Sequence, residues 1–131
     1  MKNKLKEKLV EASLDQLLDI IDSLCAKNKT LEGEIEFILS PKKINQPQSY
    51  YNRYVKQSID TNSWSKFPNK GVLGLNKCLD RLRTFEIVGN RLEAQKVAKA
   101  IFIITSKCKS KYNIQNAERL SEINQTIFKY L

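Results

Sequence analysis

Apolar residues recur every three to four positions along nearly the whole chain, and this period limits the fold more than any other feature. Leu14, Leu17, Leu18, Ile21, Leu24 and Cys25 form one such series, and Leu31, Ile35, Ile38 and Leu39 form another. Tyr51, Tyr54, Val55 and Ile59 make a third, and Val72, Leu75, Cys78, Leu79, Leu82 and Phe85 a fourth. Leu92, Val97, Ala98, Ile101, Phe102 and Ile104 continue it, followed by Ala117, Leu120, Ile123, Ile127 and Leu131. β-branched residues are present, but a strand would set them at period two. Four Gly and three Pro in 131 residues are too few turn signals for a β-sandwich. The expected fold is all-α, with about five to six helices in one domain over residues 1–131. Its architecture is a bundle or a short stack of antiparallel helical hairpins.

Local signals place the boundaries. Ser13-Leu14-Asp15-Gln16 has the capping-box pattern, Ser at the cap and Gln three positions later. Ahead of it, residues 2–12 form a short lead-in helix with Leu5 and Leu9 on one side. Asn28 stops the next helix, Thr30 caps its successor and Pro41 ends that one. The short connection implies an antiparallel hairpin, with Gly33 permitting close approach. Pro47 opens a helix that turns Arg53 and Lys56 outward. Residues 61–71 are the longest irregular stretch and contain Trp64, the single tryptophan. Further helices are expected over 72–88, 91–109 and 114–130, with Gly89-Asn90 breaking the first from the second.

Chemistry is constrained by what is missing. The chain has no histidine, so Ser-His-Asp and Cys-His pairs are excluded. It has no glycine-rich phosphate loop. Its three cysteines, Cys25, Cys78 and Cys108, are odd in number, include no CxxC and fall on apolar helix faces. They read as small buried hydrophobes in a reducing compartment, which together with the lack of a signal peptide points to the cytoplasm. No run approaches the length of a membrane span. Asp15, Asp19 and Asp22 share a helix face opposite a leucine stripe, a pattern that reads as solvated surface and not as a metal site. No catalytic residue, cofactor or metal ligand is expected, and the chain reads as a non-enzyme.

Charge is distributed unevenly. The net charge is +9. Residues 11–36 hold seven Asp and Glu against two Lys, whereas residues 37–111 hold fifteen Lys and Arg against four acids. Such a basic region attracts nucleic acid, anionic lipid or an acidic protein. Its candidate contact residues are Arg53 and Lys56 beside Tyr50, then Lys77, Arg81, Lys96 and Lys99, with Trp64 in the irregular stretch. Lys107, Lys109 and Lys111 also suit the negative end of a helix dipole. No helix-turn-helix spacing supports sequence-specific DNA reading.

Two patterns resemble known helical families. Gly89-Asn90-Arg91-Leu92-Glu93-Ala94 looks like the Gly-to-Ala turn of tetratricopeptide-like hairpins, with Arg91 in place of the usual aromatic. More broadly, Leu14 to Leu39, then Tyr50-Tyr51-Asn52-Arg53-Tyr54-Val55-Lys56, then Gly89 to Ile101, resembles the helical domain found beside SWIM-type zinc fingers in bacterial proteins. Three isolated cysteines without histidine cannot build the finger itself, so its metal and nucleic-acid roles do not transfer. The resemblance implies an α-hairpin stack used for protein association. The expected function is accordingly a protein-interaction module of scaffold or adaptor type, binding another protein or itself. The alternative is a nucleic-acid-binding protein that contacts phosphates through a basic surface over residues 42–111.

Overall fold

The computed structural model describes residues 1–59, 68–108 and 114–131, and every regular element among them is α-helical. Seven helices occur: α1 (Asn3–Glu11), α2 (Leu14–Lys27), α3 (Leu31–Leu39), α4 (Gln48–Ile59), α5 (Pro68–Ile87), α6 (Arg91–Cys108) and α7 (Ile114–Phe128). The expected five to six therefore undercounts the described helices. The cause is local: Ala12 and Ser13 adopt extended backbone, so the lead-in segment closes as a separate helix before α2 begins. Contacts divide the chain into two compact units, Met1–Leu39 and Ser40–Leu131.

In the first unit, α2 starts on the anticipated capping box. The Ser13 hydroxyl accepts from the Gln16 amide at 3.2 Å, and the Gln16 side chain accepts from the Ser13 amide at 2.9 Å. The turn into α3 is organised by Asn28, whose side-chain oxygen accepts from both the amide and the hydroxyl of Thr30. Thr30 thus directs its hydroxyl backward, while its carbonyl accepts the first helical bond from Glu34. α3 packs on α2, and Gly33 is buried. No side chain of α1 or α2 is buried.

The second unit has a continuous core. α4, α5 and α6 pack mutually, and α7 closes on α6 and α5. Tyr51, Val55 and Ile59 of α4 meet Leu75, Cys78, Leu82 and Phe85 of α5 and Val97, Ala98 and Ile101 of α6, all essentially inaccessible. Leu120, Ile123 and Ile127 supply the α7 seam. The α4–α5 approach depends on Gly74: a Cβ there would lie 1.8 Å from the Ser58 carbonyl oxygen. Pro68 opens α5, four residues ahead of the expected start, and proline is favoured at that position because its missing N–H has no helical partner to lose.

The α5–α6 connection is a Schellman turn. Asn90 donates its amide to the Phe85 carbonyl, Gly89 donates to Glu86, and Gly89 has φ +81°, a conformation that favours glycine. Asn90 then caps α6 through its side-chain oxygen and donates its side-chain nitrogen to the Pro41 and Ile44 carbonyls, both at 3.1 Å. One residue ends a turn, starts a helix and anchors the segment leading to α4.

Candidate interaction surface

α6 has two apolar faces. Ala94, Val97, Ala98, Ile101 and Ile104 follow helical spacing into the core. Leu92 and Phe102, expected to face inward with them, are instead 70% and 46% exposed. Leu131, expected in the α7 seam, is likewise exposed, and Tyr130 is buried in its place. Leu92 and Ile103 are about three helical turns apart, so they align with one another on the side away from Ala94 and Ile101. With Phe102 and Leu131 they line a groove of about 580 Å³, edged by Lys96 and Lys99.

The inner wall of this region is held by a buried carboxylate. Glu93 is 1% exposed, in the first turn of α6, where the positive end of the helix dipole favours an anion. It accepts from the Tyr51 hydroxyl, from the Gln46 amide at 3.2 Å and from Lys96 at 2.6 Å. Lys96 also donates to the Asn45 side chain and the Gln46 carbonyl, each at 2.8 Å. Gln48 donates to the Lys96 carbonyl at 2.8 Å. These bonds tie residues 45–51 to α6 across sequence separations above forty, and they pair the buried Glu93 carboxylate and Tyr51 hydroxyl that burial would otherwise penalise. The Tyr51 phenol is raised well above its ordinary value, first by burial and then by its bond to Glu93.

At the far edge of the groove, Tyr130 donates to Glu86. That bond lowers the Glu86 carboxyl, with Lys129 adding a smaller effect, whereas burial and Glu86 together push Tyr130 up to about 12. Cys78 is buried, and burial pushes its thiol up to about 11, which suppresses the nucleophilic thiolate. Cys25 and Cys78 are free thiols. Among the described residues, no group of three or more His, Cys, Asp or Glu side chains is placed to hold a metal ion. None of the described helices is long and apolar enough to cross a membrane.

The sequence-derived contact residues have different surroundings. Arg53 and Lys56 are exposed on α4, Lys77 on α5 and Lys99 on α6. Arg81 is 8% exposed, its guanidinium 4.4 Å from the Tyr54 ring centroid, so it serves packing between α5 and α4. Lys96 is half-buried in the Glu93 network. Tyr50 is half-buried and meets Tyr51 edge-to-face at 5.2 Å. Trp64, Lys109 and Lys111 lie outside the described residues. Only Lys96 and Lys99 of the set reach the groove. Its apolar lining was hidden in the sequence because both faces of α6 carry hydrophobes; projection on a helical wheel separates Leu92 and Ile103 from the core set. Comparison of the chain with protein-family models, curated proteins and solved structures finds no match.

Proposed function

We propose that this chain is a non-enzymatic protein-interaction module, of scaffold or adaptor type, whose Ser40–Leu131 unit receives an acidic amphipathic segment of another protein. The observation that carries this reading is the outward apolar stripe of α6. Leu92, Phe102 and Ile103 line a groove beside Lys96 and Lys99. Apolar anchors give affinity, and the exposed Lys99 beside them favours a partner bearing Asp or Glu on the opposite edge, Lys96 being already paired with Glu93. The likeness to helical domains used for association points the same way. The test is panning of a peptide-display library against the whole protein. Selected peptides should combine Leu or Phe with acids and should lose binding to Phe102→Asp. Absence of enrichment, or binding indifferent to Phe102→Asp and Leu92→Asp, counts against the groove.

A second reading, nucleic-acid binding, is supported by exposed Arg53, Lys56 and Lys77 on a unit holding seventeen Lys and Arg against six acids. It requires affinity for duplex or single-stranded oligonucleotides that falls about tenfold or more with a modest rise in salt, as counterion release dictates. Arg53→Glu with Lys56→Glu is the informative variant, because both side chains are exposed. Charge reversal at Arg81 would unfold the α4–α5 contact and report on nothing else.

A further inference from the structure

The Met1–Leu39 unit carries a second surface, independent of the α6 groove. Leu14, Leu18, Ile21 and Leu24 of α2 are each more than a third exposed, along with Leu5 and Val10 of α1 and Ile38 and Leu39 of α3. Within α2 the apolar positions repeat every seven residues: Leu14 with Ile21, Leu17 with Leu24, Leu18 with Cys25. That is the spacing of a seam that packs against another helix. Helices this short are marginal in water without such packing. A unit of 39 residues also lies at the size, about 40 residues, below which a chain usually needs a metal, disulfide or partner.

Charge indicates what the partner is. α1 and its N-cap carry a Leu5–Leu9 line with Lys2 and Lys6 on one flank and Lys4 and Lys8 on the other, while Glu7 and Glu11 fall on the opposite face. Residues 13–39 hold Asp15, Asp19, Asp22, Glu32, Glu34 and Glu36 against Lys27 and Lys29. The unit is thus split into a basic helix and an acidic hairpin, both bearing exposed leucines. A two-fold axis through two such units sets the basic α1 of each copy along the acidic hairpin of the other, forming the same contact twice. We infer that residues 1–39 are a self-association arm, and that the exposed α1–α2 leucines are covered by the same segment of a second copy. Because the contact is isologous, it closes at two copies.

Sedimentation equilibrium of the full chain tests this. The expected result is a species of twice the chain mass whose population follows concentration. Leu18→Asp with Leu24→Asp should weaken it by roughly a hundredfold or more, since two buried leucines are lost. Both side chains are exposed in the single chain, so circular dichroism of the Ser40–Leu131 helices should remain. Lys4→Glu with Lys8→Glu should weaken the dimer, and adding Asp15→Lys with Asp19→Lys should recover it. A monomer at high micromolar concentration overturns the inference. So does a dimer unmoved by the leucine variant, or a ladder of species beyond two, which requires a head-to-tail contact. The Phe102→Asp variant of the α6 groove should leave the dimer intact; a dimer lost with it also overturns the inference.

Discussion

The two units obey the same helical period and reach opposite outcomes. In Ser40–Leu131 the apolar faces of four helices close on one another, and Tyr51, Phe85, Ile101 and Ile123 lose all solvent. In Met1–Leu39 the faces are as regular, yet Gly33 is the one buried residue and Leu5, Leu14, Leu18, Leu24 and Leu39 remain exposed. The difference lies in how much chain is available to cover an apolar stripe. A long unit folds three faces around a fourth, whereas a short hairpin with a lead-in helix has no layer to spare. An apolar stripe left uncovered on a structured segment is therefore informative about association, whereas a stripe that closes on its neighbours, as most do in the larger unit, is informative about folding.

The comparison breaks most sharply at Glu93. Glu93→Ala removes the acceptor of the Tyr51 hydroxyl and the Gln46 amide and the counter-charge of Lys96, so the 40–131 unit should lose roughly 3–5 kcal/mol in urea unfolding. Gly74→Ala, which drives a methyl into the Ser58 backbone, should cost about 1–3 kcal/mol or more by the same measurement. Neither should change the exposed seam of α2.

Alkaline pH gives a third effect of known sign. Cys78 and Tyr130 hold their protons more tightly when folded than when unfolded, from ordinary values of 9.0 and 10.0 up to about 11 and about 12. Their stabilisation is complete below the ordinary values and is lost as pH rises through the folded ones. Unfolding free energy should therefore fall between pH 9 and 12, by on the order of 2 kcal/mol from Cys78 alone. Cys78→Ala should remove that share of the slope. Glu86 acts at the other end: its lowered carboxyl contributes above its ordinary 4.5 and ceases to as pH falls through the folded value.

Smaller effects sharpen the contrast. Gly89→Ala forces a Cβ into the left-handed region and should cost about 1 kcal/mol, read as a lower thermal midpoint. Leu18→Asp should change the stability of the 40–131 unit by less than about 0.5 kcal/mol, because an exposed side chain gives up little. Amide exchange should separate the units directly. At high dilution α1–α3 should exchange faster than the buried stretches of α5 and α6, and protection of α2 should rise with protein concentration.

Much of the local architecture is legible without coordinates. The Ser13–Gln16 box and the Gly89-Asn90 turn are short-range chemistry: each is completed by atoms within a few residues, so a sequence window contains all its parts. The α6 groove is only partly legible. Lys96 and Lys99 stand out as charges, but Leu92 and Phe102 look like core until α6 is seen packing through Ala94, Val97 and Ile101. Arg81 and Glu93 look like surface, and both are buried.

What the residues settle by themselves is the helical period, the caps and the separation of an acidic hairpin from a basic remainder, because propensity, capping and charge act over a turn or two. Which face of α6 becomes core, which carboxylate is taken inside, and that the first leucine stripe goes uncovered are decided only in three dimensions. Those outcomes depend on partners more than forty positions away, as Gln46 and Tyr51 are from Glu93, and a periodic pattern specifies that a face is apolar without specifying what covers it.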